Sequence, residues 1–193
     1  MRNYTTKLEQ LIKKYPEKWE KKMYDKNAFL VEVGNPRTHN YYIESGIIKA
    51  YVFNEEINDE TIINFFSEGD FIMSYAIVPN EIKNAVLNLE VVKDAVIRRI
   101  TIKDWFDIRN KEPIIVTKIL QECLDMVINR LIFNGKINAL PRAESRYRKM
   151  LEVFPFLIAL KDNDVAKIMG VDPRTITNIK HNNKKIAIPK VFF

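Results

Sequence analysis

Cysteine, histidine and glycine are scarce in this 193-residue chain, and each scarcity excludes a class of protein. The single cysteine, Cys123, permits no internal disulfide, which is typical of a reducing cytoplasm. The two histidines, His39 and His181, lie far apart in the sequence and cannot form the ligand cluster of a barrel metalloenzyme. The sequence contains no Ser-His-Asp set, P-loop or Gly-rich nucleotide fingerprint. We therefore expect neither an enzyme nor a bound cofactor.

Long hydrophobic runs are also missing. No apolar segment approaches the roughly 20 residues that a membrane-spanning helix needs. The start of the chain, "MRNYTTKLEQLIKKYPEKW", is charged throughout and lacks the apolar centre of a signal peptide. These features predict a cytoplasmic protein with no membrane partner.

Acidic residues are few in the last quarter of the chain, and this unequal distribution accounts for the net charge. Residues 142–190 contain 11 Lys or Arg residues and five Asp or Glu residues, so this segment carries the entire formal charge of +6. The remainder of the chain is neutral. The pattern favours a neutral module joined to a basic one that binds a polyanion.

The first half of the chain changes from a helical pattern to short β-branched and aromatic segments. Residues 4–20 place Leu8, Leu11 and Trp19 at helical spacing, which predicts an amphipathic helix. Turn signals then separate the apolar segments, and one of these signals is the Ser45-Gly46 pair. The segments are "AFLVEV", "YYIES", "IIKAYVF", "ETIINFF", "AVLNLEVV" and "DAVIRRI". Their short spacing predicts an antiparallel jelly roll.

A long helix is predicted from Ile114 to about Asn134. Four of its apolar residues recur at 4-3-4 spacing, which is the pattern of a coiled-coil interface: Leu120, Leu124, Val127 and Leu131. Further apolar residues widen the band, so we expect the helix to contact both its own barrel and a second copy of the chain. Burial in the core of a monomer is the alternative. The segment "NGKINALP" that follows is predicted to be a hinge.

The segment "DNDVAKIMGVDPRTITNIKHNNKK", residues 162–185, predicts a helix-turn-helix. Asp172 is a preferred N-cap residue, and Pro173 suits the first position of the helix that follows it. Gly170 can adopt the left-handed conformation that ends the preceding helix. A small Ala166 permits close helix crossing, and two isoleucines one turn apart, Ile176 and Ile179, fix the second helix to the first.

The outer face of the second helix is polar and basic, as in helices that enter the major groove of DNA. Arg174 and Asn178 are the best candidates for base contacts, because Arg pairs with guanine and Asn with adenine through two hydrogen bonds. The full predicted DNA-binding set is Arg174, Thr175, Thr177, Asn178, Lys180, His181, Lys184 and Lys185. The lysines suit phosphate contacts, with Arg142, Arg146 and Arg148 in reserve. Two alternatives are a solvated helical hairpin and a small-molecule signalling module whose C-terminal domain docks protein.

The order of these parts resembles the CRP/FNR family of bacterial transcription regulators. The stretches "IESGIIKAY" and "EGDFI" resemble parts of the family's cyclic-nucleotide-binding-type β-roll, and "SRYRKMLEVFP...VAKIMGVDPRTITNIK" resembles its DNA-binding domain. The resemblance implies an α+β protein with three parts. These are an N-terminal antiparallel jelly-roll domain (1–112), a dimerisation helix and hinge (113–138) and a winged helix-turn-helix domain (139–193). It also implies a homodimer on double-stranded DNA, with RNA polymerase as a further candidate partner.

The sequence departs from the family where its cyclic-AMP-binding members carry their phosphate cassette. The corresponding stretch, "FIMSYAIVPNEIKNAV", has neither glycine nor arginine. A lone lysine lacks the bidentate fork that arginine offers a phosphate, so control by cyclic AMP is not expected. The effector is unknown, and weak candidates for its pocket are Ser74, Tyr75, Lys83 and Asn84. For Cys123 we expect structural burial, with thiol sensing as the alternative.

Overall fold

The computed structural model describes residues 3–56, 58–73 and 84–183. Within these ranges the chain forms an α+β structure in which one helix and an antiparallel sheet are followed by further helices, so the predicted fold class is confirmed. The strands are β1 (Glu20–Tyr24), β2 (Phe29–Val31), β3 (His39–Asn54), β4 (Asp59–Ser67), β5 (Phe71–Ile72) and β6 (Asn88–Thr101). The helices are α1 (Asn3–Lys14), α2 (Ile102–Lys111), α3 (Pro113–Asn138), α4 (Ala143–Val153), α5 (Asp162–Met169) and α6 (Pro173–Asn183).

The sheet is built around two long antiparallel strands, β3 and β6. Its order is β1-β6-β3-β4, while β2 pairs with β6 and β5 pairs with β3. Within the β3–β6 ladder Ile43 lies opposite Ile97 and Ala50 lies opposite Leu89. These residues belong to the buried core of the sheet. We call the sheet, whose strands lie within residues 20–101, the β-roll.

The expectation of a turn at Ser45-Gly46 is wrong, because β3 passes through this point without ending. Gly46 instead lies at a register irregularity, with a φ of 101°. A Cβ atom at this position would come within 2.5 Å of Ala95 on the neighbouring strand. Glycine is therefore required here for close approach of two strands rather than for reversal of the chain. In the same way "AVLNLEVV" and "DAVIRRI" contribute to one strand, β6.

The N-terminal helix is shorter than predicted. It ends at Lys14, and a 3-10 helix at Pro16–Lys18 precedes β1. Leu8 and Leu11 are fully buried against α2 and α3, together with Trp19 and Trp105. These residues share one buried cluster with Tyr42, Phe71 and Ile100 of the sheet.

Helix α3 is longer than predicted and spans 26 residues. The segment that was expected to form a hinge remains helical through Gly135 to Asn138. A short connection then leads to α4, a 3-10 helix at Pro155–Ala159, α5 and α6. We call residues 143–183 the C-terminal module. The wing of the predicted winged helix-turn-helix domain would come from the last segment, "KKIAIPKVFF", which lies outside the described residues.

Candidate nucleic-acid interface

The turn between α5 and α6 is the predicted one. Gly170 has a φ of 61° and a ψ of 44°, the left-handed conformation expected of a residue that ends a helix. Its N–H donates to Lys167 O at 3.3 Å, and Val171 N–H donates to Ala166 O at 3.1 Å. Asp172 Oδ1 accepts a hydrogen bond of 2.8 Å from Arg174 N–H, as an N-cap does. The sequence therefore fixes both the end of α5 and the start of α6.

The inward face of α6 is apolar and holds the helix against α5. Ile176 is fully buried, Ile179 is nearly so, and both lie in one cluster with Ala166. Val165 and Met169 of α5 complete the contact. Because Ala166 is 1% exposed at the crossing, a longer side chain there would push the helices apart. The roles predicted for these residues are confirmed.

The opposite face of α6 is exposed and carries polar side chains that can donate and accept hydrogen bonds. Arg174, Asn178 and His181 are exposed at helical spacing of four and three residues, so they form one row. Thr177 is exposed beside this row, and Thr175 is half-buried. The sequence-based set omitted Asn182, which is exposed one turn beyond Asn178. Its spacing from Asn178 was the signal that could have identified it.

Two side chains of the predicted set have partners within the C-terminal module. Lys180 Nζ lies 2.7 Å from Asp162 Oδ1 and donates to Leu160 O at 3.0 Å. The Thr177 hydroxyl donates to Asp162 Oδ2 at 2.6 Å. These contacts join α6 to the start of α5, and the pKa of Asp162 is lowered by its hydrogen bonds from Lys180 and Thr177. Lys180 therefore points toward the module rather than along the exposed row.

The reserve basic residues lie on or next to α4. Arg148 pairs with Glu144 at 2.6 Å on the same helix, where both side chains are about half exposed. Exposed pairs of this kind contribute little to stability. Lys184 and Lys185 lie outside the described residues, so their predicted phosphate contacts remain predictions.

Helix α3 has two apolar faces with different surroundings. Val116, Ile119 and Cys123 are buried in one cluster with residues of α1 and α2 of the same chain. The other face remains exposed in this single chain, with large apolar side chains at Leu124, Val127, Ile128, Leu131 and Ile132. Of the four residues predicted to form a dimer interface, Leu120 differs, because it is partly buried against its own chain.

The predicted effector pocket is described only at one residue. Asn84 pairs with Pro36 in an isolated antiparallel bridge, whereas Ser74, Tyr75 and Lys83 lie outside the described residues. Cys123 is 4% exposed, and burial raises the pKa of its thiol to about 12. A thiol in this environment remains protonated and unreactive at neutral pH, which supports the structural role.

The described parts of the chain contain neither a candidate metal site nor a candidate membrane-spanning helix. Among residues 3–56, 58–73 and 84–183, no His, Cys, Asp or Glu side chains are grouped so that they could hold a metal ion. Over the same ranges, none of the helices combines the length and apolar character that crossing a bilayer requires.

Neither a family model nor a curated protein sequence matches this chain. Solved structures do match. FixK2 from Bradyrhizobium japonicum aligns over 86% of this chain and 85% of its own, with a TM-score of 0.72 and 12% identity. CLP from Xanthomonas campestris, described as a c-di-GMP responsive global regulator, aligns over 94% and 96% with a TM-score of 0.66 and 12% identity.

A third solved structure also aligns over most of this chain. A mutant of CooA from Carboxydothermus hydrogenoformans aligns over 91% of this chain and 81% of its own, with a TM-score of 0.58 and 17% identity. These proteins are CRP/FNR-family regulators, and the alignments include both the β-roll and the C-terminal module. At such low sequence identity, the structural match identifies a shared architecture and does not identify ligands or partners. The chain described here therefore has the fold of the CRP/FNR regulators.

Proposed function

We propose that the protein is a transcription regulator that binds double-stranded DNA as a homodimer. The observation that carries the proposal is the exposed row Arg174, Asn178 and His181 on a helix whose opposite face is buried. A helix held in this way can enter the major groove with its polar row facing the base edges. The formal charge of +6 in residues 142–190 favours association with the phosphate backbone.

The exposed apolar face of α3 supports the dimer. Leu124 is 59% exposed and Leu131 is 66% exposed in the single chain, and they lie two helical turns apart on one face. Burial of such a face against an identical face would form a two-helix interface with coiled-coil spacing. Two-fold symmetry would then present two α6 helices, so the preferred site is a roughly palindromic sequence.

The regulator proposal includes two further expectations from the sequence. Control by cyclic AMP is not proposed, because the stretch that corresponds to the phosphate cassette has no arginine. RNA polymerase is a candidate partner of the DNA-bound dimer. The identity of an effector is left open.

Selection of bound duplexes from a random DNA pool tests the proposal directly. We expect an inverted repeat to be recovered, and its affinity should fall steeply as salt rises, because bound counterions are released from DNA. If no duplex is enriched and weak binding does not depend on salt, DNA recognition by α6 is disproved. The two alternatives would then remain: a solvated helical hairpin, or docking of a protein by the C-terminal module.

The dimer is tested separately by introducing charge on α3. Leu124→Glu with Leu131→Glu should convert the protein to a monomer in sedimentation velocity, because each protomer would have to bury two carboxylates at the interface. Val153→Glu is the control, since Val153 is an exposed apolar residue on α4. A dimer that survives the double substitution would locate the interface elsewhere.

A further inference from the structure

Helix α5 and strand β4 bring the C-terminal module into direct contact with the β-roll. Ile62 and Phe65 of β4, with Ile47 of β3, belong to the same buried cluster as Val165 of α5. The rings of Phe65 and Phe156 meet edge to face at a centroid distance of 6.2 Å. The two modules therefore share one hydrophobic core.

A cluster of charged side chains borders this shared core. Lys167 of α5 pairs with two carboxylates of β4, Asp59 at 2.5 Å and Glu60 at 3.2 Å. Glu60 also pairs at 2.7 Å with Lys49 of β3, and Lys49 lies 3.3 Å from Glu90. The side chains of Lys167 and Lys49 are 15% and 7% exposed. We call Lys167, Asp59, Glu60 and Lys49 the interdomain clasp.

Three of the four clasp side chains are largely protected from solvent, since Lys49 is 7% exposed, Lys167 15% and Glu60 19%, whereas Asp59 is 50% exposed. Its two lysines approach one carboxylate, Glu60, from opposite modules, so the position of each depends on the other. Partial burial reduces screening by salt and strengthens each pair. The clasp therefore joins the modules at a defined relative position rather than through alternative surface contacts.

A second contact between the modules lies on α3. Arg130 pairs with buried Asp70 of the β-roll at 3.1 Å. Its guanidinium also lies 5.5 Å from the centre of the Phe66 ring and 5.6 Å from that of Phe154 in the C-terminal module. Stacking of a guanidinium on two rings fixes its plane. Two separate contacts therefore restrict rotation of the C-terminal module.

The contact of α5 with β4 leaves the polar face of α6 exposed. Lys167 faces β4, while Arg174 and Asn178 on the next helix are exposed. Since α6 is fixed to α5 through Ile176 and through the Lys180–Asp162 pair, orienting α5 also orients α6. The β-roll thus contacts the one helix of the pair that is not predicted to touch bases.

We infer that the interdomain clasp is a positioning device that holds α6 at a fixed orientation to its own β-roll, as simultaneous binding of two half-sites requires. The expected effect on DNA binding rests on the proposed function, whereas the expected effect on the orientation of the C-terminal module does not. Lys167 and Asp59 act through α6 and do not themselves contact DNA. Loss of the clasp should widen the range of orientations of the C-terminal module, which the shared core and Arg130 still hold against the β-roll, while the module remains folded.

The effect of the clasp on the orientation of the C-terminal module is tested by measuring the distance between the two modules without DNA. Spin labels are attached at Lys22→Cys on β1 and Ala159→Cys in the C-terminal module, both exposed positions, in a Cys123→Ala background. Labelled chains are diluted with unlabelled ones so that only distances within one chain are recorded. We expect one narrow distance population, which Lys167→Gln broadens or splits.

Lys167→Gln is chosen because Glu60 retains Lys49 as a partner, so no buried carboxylate is left uncompensated. Lys161→Gln is the matched control, since it removes one positive charge from an exposed position of the same module. Asp59→Asn repeats the test from the β-roll side, where Asp59 is half exposed, with Glu56→Gln as its control in the preceding turn. The two control variants should keep the narrow distribution.

The DNA consequence is tested with the selected inverted repeat and with a duplex that contains one half-site. Lys167→Gln should weaken binding to the repeat by about 5- to 150-fold, the range of typical coupling between sites. Binding to the half-site should change little, because the folded module and its α6 face are intact. A role limited to folding would instead lower both affinities together.

An unchanged distance distribution in both Lys167→Gln and Asp59→Asn would overturn the inference. Equal loss of affinity on the repeat and the half-site would overturn it as well. If the unsubstituted protein binds no duplex, the proposed function fails, while the distance measurement still decides whether the clasp orients the module.

Discussion

Helices α5 and α6 are neighbours in one helix-turn-helix, yet their charged side chains have different surroundings. Lys167 of α5 is 15% exposed and pairs with Asp59 and Glu60 of the β-roll. Arg174 of α6 is exposed on the face that points away from α5. The difference shows that position in the fold, and not residue type, decides which basic side chains remain accessible to a partner.

The same comparison shows that part of the net positive charge is paired within the protein. All of the formal charge of +6 lies in residues 142–190, but Lys167 and Lys180 of this segment each pair with carboxylates. Their charges are partly neutralised before a polyanion approaches. We therefore expect the exposed row on α6, together with lysines beyond it, to contribute more to phosphate and base contacts than these two residues do.

The largest expected effect tests whether the two helices depend on one core. Ile176→Ala removes a fully buried side chain at the crossing of α5 and α6, and should lower the free energy of unfolding by about 2–5 kcal/mol. Urea unfolding followed by circular dichroism measures the loss. Asn182→Ala, on the exposed face of the same helix, is the control and should stay within about 0.5 kcal/mol. Similar losses in both variants would mean that α6 is not held by its apolar face.

The second-largest expected effect concerns Arg174 on the exposed face of α6. Arg174→Ala should reduce discrimination at one base position per half-site by roughly 1–3 kcal/mol, because a bidentate contact is lost. Competition binding with duplexes that vary at each position of the selected repeat measures it. Lys180→Gln is the comparison, since Lys180 pairs with Asp162 and should not alter base preference. An equal loss on every duplex would identify Arg174 as a phosphate contact.

A smaller effect is expected at the turn that separates the helices. Gly170→Ala places an alanine at a φ of 61°, which should cost roughly 1–2 kcal/mol of unfolding free energy. A Cβ at this position meets nothing within 4 Å, so only backbone strain contributes. Gly135→Ala is the control: a Cβ there also meets nothing, but Gly135 is helical, so alanine should stabilise the protein. Destabilisation by both substitutions would contradict this explanation.

The smallest expected effect is on the pH dependence of the contact between α6 and the start of α5. Hydrogen bonds from Lys180 and Thr177 lower the pKa of Asp162. A lowered pKa in the folded state means that the stabilisation is present above the unfolded value of about 3.9 and is lost as pH falls through the folded value. Because Asp162 is partly exposed, we expect less than about 1 kcal/mol.

Asp162→Asn should reduce the acid-dependent loss of stability, measured as unfolding free energy between about pH 2 and pH 6. Asp172→Asn is a useful comparison, because asparagine is also a good N-cap residue and the first turn of α6 should be retained. An acid limb unchanged by Asp162→Asn would show that the ion pair does not stabilise the helix pair.

The sequence predicted elements well where the cause is local. Asp172, Pro173 and Gly170 defined the helix-turn-helix because caps and left-handed turns depend on a few adjacent residues. The sequence failed at Gly46, where the reason for glycine is Ala95 on a strand about 50 positions later in the chain. It also failed to exclude Lys180 from the exposed row, because the partners of that side chain belong to the segment around α5.

The sequence by itself determined the α+β class, the turn between α5 and α6, and the apolar and polar faces of α6, since periodicity and capping are properties of neighbouring residues. Only the tertiary structure decided that β3 continues through Gly46 and that Lys167 lies against Asp59. Contacts of this kind join residues about 50 to 110 positions apart. Their presence follows from how the β-roll and the C-terminal module pack, which local sequence patterns do not specify.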